Sequence, residues 1–185
     1  MAKVSVIVPN YNHAQFLEQR VNSLLSQTYI DFEIIIVDDA SSDESIAILE
    51  AYRYHPKVSL LLVNDTNSGS PFKQWKKGIE HASGEFIWIA ESDDYCSSEF
   101  LEECMKVIGD DPAIGLVYTQ SVDVDVNGEE IGDRLQYTDQ FKPNIWKENF
   151  SMQGNDFIRN YLSHKNVIPN ASAVLFSCNF LPGYD

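Results

Sequence analysis

The chain is predicted to fold as an α/β domain with a mostly parallel central sheet flanked by helices, and three observations carry that prediction. Short β-branched runs alternate with segments of helical apolar period. The connections between them are brief. The runs are apolar on consecutive residues rather than on alternate ones, as strands buried on both faces must be. With 185 residues, 44% of them apolar and 12% aromatic, the chain can build one sizeable core.

Taken in order, Val4 to Val8 is a β-branched run closed by Pro9, a first buried strand. Leu17, Val21, Leu24 and Leu25 then mark one face of a helix. Phe32 to Val37 is a second strand, ending in Asp38-Asp39, and Ser41-Ser42-Asp43-Glu44 reads as a capping box for a helix carrying Ile46, Leu49 and Tyr52. Val58 to Val63 is a third strand. The polar stretch Asn64 to Pro71 is a loop, and Phe72 to Ala82 forms a helix ending at Gly84. Phe86 to Ala90 is a fourth strand that again discharges into acids. Phe100, Leu101, Cys104, Val107 and Ile108 form another helix face, and Ile114 to Val126 reads as one long strand or two joined ones. Beyond Asn127 the pattern weakens. Asn127-Gly128 is a hairpin-turn candidate, and Glu129 to Asn155 looks irregular. A helix is expected at Phe157, Ile158, Tyr161 and Leu162, with a last strand at Ala173 to Phe176. Residues 1–126 are thus read as the regularly patterned α/β part, and 127–185 as a less regular continuation of the same domain.

Composition narrows the function. A net charge of -15 argues against unaided binding to nucleic acid or an anionic membrane. No apolar run approaches the roughly 20 residues needed to cross a bilayer. The start, Met1-Ala2-Lys3, lacks the regions of a signal peptide. A cytoplasmic location is expected, and membrane association of a longer protein stays open. The three cysteines, Cys96, Cys104 and Cys178, show neither metal-ligand spacing nor an even disulfide frame.

The chemistry gathers where strands end. In an open parallel sheet, ligands bind in the crevice at the carboxyl ends of the strands. Pro9-Asn10-Tyr11-Asn12, Asp38-Asp39 and Glu91-Ser92-Asp93-Asp94 all stand there if the strands are parallel. A carboxylate at Asp39 can accept from a nucleobase or ribose, although capping of the next helix explains an acid there equally well. Glu91 and Asp93 alternate on extended chain and so can face one site. Hard divalent cations take oxygen ligands, and magnesium often uses one or two carboxylates plus substrate phosphates. A cation there would reconcile an acidic protein with a polyphosphate ligand. Tyr11 is a candidate base-stacking ring or a half-buried packing aromatic. Asn67-Ser68-Gly69 is a turn that could face phosphate, and Lys73, Lys76 and Lys77 share one helix. His13, His55, His81 and His164 have no triad-like context.

These blocks resemble a family. Val4 through Asn12, Leu25-Ser26-Gln27-Thr28-Tyr29, Glu33 through Asp43, and Gly84-Glu85-Phe86-Ile87 leading into Glu91-Ser92-Asp93-Asp94 look like family 2 glycosyltransferases, in the right order over roughly residues 3 to 120. The resemblance implies a Rossmann-like GT-A domain that uses a nucleoside-diphosphate sugar, UDP-linked by preference. It implies inverting, metal-dependent transfer to a glycan or lipid-linked acceptor, with manganese or magnesium as cofactor and polysaccharide biosynthesis as context. It assigns Pro9 and Tyr11 to the base, Asp39 to the uracil or equivalent ring, and Asp93 to the metal on the pyrophosphate. Glu91 would contact ribose or a metal-bound water, and Ser92 and Asp94 complete the donor-binding motif.

Two departures stand out. The family carries an Ala-Arg-Asn stretch before a helix glycine, where this chain reads Gln74-Trp75-Lys76-Lys77-Gly78, which leaves Lys73 or Lys76 as a substitute for the donor-binding arginine. The general base has no counterpart. Asp156 precedes a helix and is explained by capping, the tail Pro182-Gly183-Tyr184-Asp185 does not match the family's acidic pair, and the base is expected beyond Asp185. The competing readings are a non-catalytic nucleotide-sugar-binding or assembly module and a phosphoacceptor receiver domain. The receiver reading lacks its late-strand lysine, although Val63-Asn64-Asp65 supplies a strand-end acid.

Overall fold

The structure, a computed structural model, describes residues 2–181; Met1 and the tail from Pro182 to Asp185 lie outside the described residues. The elements run β1 (Val4–Asn10), α1 (Ala14–Leu25), β2 (Phe32–Asp38), α2 (Ser45–Glu50), β3 (Val58–Val63), α3 (Pro71–Ile79), β4 (Phe86–Ile89), α4 (Phe100–Ile108), β5 (Leu116–Tyr118), β6 (Val122–Val124), β7 (Glu130–Asp133), α5 (Gly154–Phe157) and β8 (Val174–Ser177). Among the described residues, 2–117 together with 174–181 form one compact unit, and Tyr118–Ala173 form a second.

In the first unit the expected α/β sheet is present, in the order β3-β2-β1-β4-β8-β5. β1 pairs in parallel with β2 on one side and β4 on the other, and β3 extends β2 in parallel. β8 runs antiparallel to β4. Helices cover both faces because the strands are apolar on both. Val4, Val6, Val8, Ile34, Ile36 and Trp88 form a core with Leu17 and Leu24 of α1, Leu49 of α2, and Phe100, Leu101 and Cys104 of α4. Ile7, Ile87 and Ile89 face the other way, onto Trp75 and Ile79 of α3. Gly78 makes that second contact possible, since a Cβ there would sit 2.3 Å from Ile7 Cγ2. Pro9 lies inside β1, which a central strand tolerates poorly. Pairing with β4 has already ended at Ile7–Ile89, so its missing N–H falls beyond the last β1–β4 pair.

Local chemistry moves several expected boundaries. α2 begins at Ser45, not at the Ser41 box: Asp43 accepts from the Ser45 amide at 3.0 Å and from the Ala14 amide at 3.0 Å, and Ser41 serves Asp38 instead. α3 stops at Ile79, short of Ala82, and is followed by tight turns.

The stretch 114–126 divides into β5, in the large sheet, and β6, which pairs with β7. The Asn127-Gly128 turn joins β6 to β7, Gly128 taking a left-handed φ of 82°. β7 was not legible, because Glu130-Ile131-Gly132-Asp133 is exposed throughout and has no apolar face to read. The second unit is organised by aromatic rings instead. Trp146 is buried among Phe141, Phe150, Phe157 and Tyr161, and its indole N–H donates to the Tyr118 hydroxyl at 2.6 Å. The expected helix at Phe157 begins as α5 and continues to Leu162 as one wide turn.

Candidate functional site

The sheet reverses its strand order beside β1: β2 and β3 extend it one way and β4 the other. Such a switch point opens a crevice at the carboxyl edge, between the ends of β1 and β4. The parallel registers bring Asn10 opposite Asp38 and place Ile89, with Glu91 just beyond it, beside the end of β1. The strand-end groups therefore meet at one edge of the first unit, as the sequence implied.

At the end of β2 the two acids part. Asp38 is fully buried and structural: it accepts from the Ser41 amide at 2.8 Å, the Ser41 hydroxyl at 2.6 Å and Asn10 Nδ2 at 2.7 Å. Ala40 takes a left-handed φ of 61°, a conformation that costs a non-glycine residue energy. That turn separates Asp38 from Asp39. Asp39, also buried, accepts from Asn64 Nδ2 at 2.7 Å, from the Ser68 amide at 2.9 and 3.0 Å, and from the Ser68 hydroxyl at 2.8 Å. Gln74 closes this net. Its Nε2 donates to Ser68 Oγ at 2.8 Å and its Oε1 accepts from Asn64 Nδ2 at 2.9 Å. The loop 64–70 thus covers the carboxylate to which the resemblance assigns the base.

The end of β4 is built differently. Ala90 continues the ladder through an amide bond to the Ile7 carbonyl at 2.8 Å, and a tight turn follows, the Asp94 amide donating to the Glu91 carbonyl at 3.2 Å. Glu91 is half-buried and accepts from the Trp75 indole N–H at 2.7 Å, so its extra reach over aspartate is spent toward α3. Burial holds its carboxyl above the ordinary glutamate range, with Asp93 and Asp94 adding to the shift and the Trp75 N–H opposing it. Ser92 is buried with its hydroxyl 2.7 Å from His13 Nδ1. Asp94 is half-buried. Asp93 is exposed, and no donor among the described residues reaches its carboxylate.

Of the remaining expected residues, Pro9 is buried in β1 and Tyr11 stands exposed just past its end. Lys73 is exposed and donates to the Ser68 carbonyl at 2.9 Å, on the loop that caps Asp39. Lys76 pairs with Glu80 along the surface of α3 at 3.4 Å. Sequence reasoning missed the residues that hold this edge together, Asn64, Gln74, His13 and Trp75, and the buried Arg20 of α1. Arg20 had a readable signal, since it falls three residues after Leu17 and beside Val21, on the inner stripe of α1. The others are polar residues in loops and helix turns that only the folded topology brings to this edge.

Among the described residues, no three His, Cys, Asp or Glu side chains form a group that could hold a metal ion. A closed protein cage for a cation is therefore absent from the described residues. A site that uses one open carboxylate and completes its shell with ligand phosphates fits Asp93, the one member of this motif that is exposed with no protein donor.

Comparison with known proteins agrees with this fold. A family model described as "Glycosyl transferase family 2" matches residues 5–173. The poly(ribitol-phosphate) beta-N-acetylglucosaminyltransferase TarS of Staphylococcus aureus is 40% identical over 112 residues, which cover 58% of this chain and 19% of that protein. A crystal structure of S. aureus TarS residues 1–349 in complex with UDP superposes with a TM-score of 0.60 at 32% identity, covering 72% of this chain and 39% of that one. The mannosyltransferase PcManGT of Pyrobaculum calidifontis, in complex with GDP-Man and Mn2+, gives a TM-score of 0.57 at 27% identity over 67% of this chain and 36% of the other. The chain thus spans about a fifth of the length of the curated relative TarS.

Proposed function

The chain belongs to glycosyl transferase family 2, and from that premise we propose that its strand-end crevice holds the nucleoside diphosphate of a UDP-sugar, for inverting, metal-dependent transfer of the sugar to an acceptor hydroxyl. The observation that carries this reading is the open Asp93 carboxylate past the end of β4, at the same sheet edge as the buried, loop-covered carboxylate of Asp39. TarS, whose structure with UDP this unit resembles, supports UDP as the nucleotide.

In this reading Tyr11 offers its exposed ring to the base, and Asp39 accepts from a ring N–H. Both Asp39 oxygens already carry donors, so the ring N–H takes the place now filled by the Ser68 hydroxyl. Lys73, anchored to the same loop, lies where its ammonium could neutralise phosphate. Asp93 would hold a manganese or magnesium ion, which when bound offsets the charge developing on the departing diphosphate. Asp94 and Glu91 frame that position from the turn. The acceptor is proposed to be a glycan or other polymeric hydroxyl compound, and the general base to lie outside residues 2–181.

Calorimetric titration of UDP tests the reading. Binding is expected to strengthen when Mn2+ is present, and Asp93→Ala is expected to erase that gain while leaving the metal-free affinity in place. No UDP binding in the presence of Mn2+ would overturn the donor-site reading.

A further inference from the structure

Arg20 lies in the middle of α1 with no exposed surface, and among the described residues none of its guanidinium nitrogens has an oxygen acceptor. A buried cation with its donors unmet is among the costliest groups a core can contain. Its surroundings return part of that cost. The guanidinium carbon lies 5.2 Å from the Trp88 ring, which is itself stacked on Phe100 at 4.4 Å. The polar group it feels most is the thiol of Cys96, a weak acceptor, and after it come the carboxylates of Asp94 and Glu91. An apolar side chain would fill the same place in the core without the desolvation cost. Trp88 belongs to β4, and Cys96, two residues past Asp94, packs on Ser23 of α1 at 3.6 Å, so the guanidinium stands behind the end of that strand and acts there through its field.

We propose that Arg20 is a positioning residue of the donor site: a fixed positive charge behind the β4 strand end, which steadies Glu91 and Asp94 and offsets part of their charge so that the crevice admits an anionic nucleotide. The inference rests on the donor-site reading above. Glu91 accepts from the Trp75 indole N–H on the α3 side of the strand, and the buried cation lies on its α1 side, over Trp88. Asp93, exposed and without a protein donor, is left as the member of the motif turned toward ligands.

The charge makes a prediction of opposite signs, which damage to the fold cannot imitate. In Arg20→Met, metal-free UDP should bind about fivefold more weakly and Mn2+ alone about fivefold more tightly, the scale of one charge acting across a partly wet site. Arg20→Lys, which keeps the charge, should stay within about twofold of the unaltered protein in both titrations. Arg20→Gln, polar and neutral, is read in the same way if Arg20→Met fails to melt cooperatively. Parallel loss of both affinities, or no change in either, overturns the proposal. If the unaltered protein binds no UDP with Mn2+ present, the donor-site reading falls, and the Mn2+ titration still judges Arg20 by itself.

Discussion

At the end of β2 each carboxylate oxygen has its own donor, both acids are buried, and the donors come from neighbouring loops of the same unit. At the end of β4 one acid is exposed without a donor among the described residues, another is held by an indole N–H, and the buried cation behind them has no oxygen acceptor among those residues. Sequence alone presents these as similar acidic strand ends. The difference separates two uses of a carboxylate. A satisfied, buried acid organises backbone and stabilises the fold, whereas an open one remains available to a ligand. Asp39 stands between the two, since it is satisfied by a loop side chain that a ligand could replace.

The sharpest way to break that contrast is at Asp38. Its replacement by Ala strands the Ser41 amide, the Ser41 hydroxyl and Asn10 Nδ2 in a buried site, and should cost about 3 to 4 kcal/mol of unfolding free energy. Urea denaturation measures it. A loss under about 1 kcal/mol would mean that the β2 end is not the structural half of the edge.

A paired comparison sharpens the contrast further. Asp39→Asn keeps one acceptor but turns an N–H toward the donors of Ser68 or Asn64, and should cost about 2 kcal/mol. Asp93→Asn disturbs no protein hydrogen bond and should stay within about 0.5 kcal/mol of the unaltered chain. Equal losses in the same denaturation series would erase the distinction between the two strand ends.

Much of this edge was legible before the fold was known, and its gaps have physical causes. β1, β2 and β4 announced themselves because strands buried on both faces must be apolar on consecutive residues, and the half-exposed edge strand β3 through its run Leu60-Leu61-Leu62-Val63. The acids stood out because charge directly after such a run is unusual. The sequence could not say which acid is satisfied, because the donors to Asp39 come from Asn64 and Ser68, 25 and 29 residues away. Nor could it foresee that Glu91 reaches sideways to Trp75, 16 residues back on α3. The β6–β7 hairpin shows the converse. Its Asn-Gly turn was readable from two residues, while the exposed β7 strand beyond carried no periodicity.

The smallest expected effect tests the open end of the contrast through pH. Burial raises the Glu91 carboxyl in the folded chain above its ordinary range, so the folded state retains a proton that the unfolded state has already released. As pH rises from the ordinary glutamate range through the raised one, the protein loses stability. Glu91→Gln removes that loss while keeping an oxygen for the Trp75 N–H. The variant should therefore be more stable at pH 7, by less than about 1 kcal/mol, with the gain fading toward about pH 4 where the carboxyl is protonated in both states. Urea midpoints of the two proteins across that range measure the difference. A Gln variant less stable than the unaltered protein at neutral pH would show that the ionised Glu91 gains more from its partners than burial costs it, and the contrast between the two strand ends would fail.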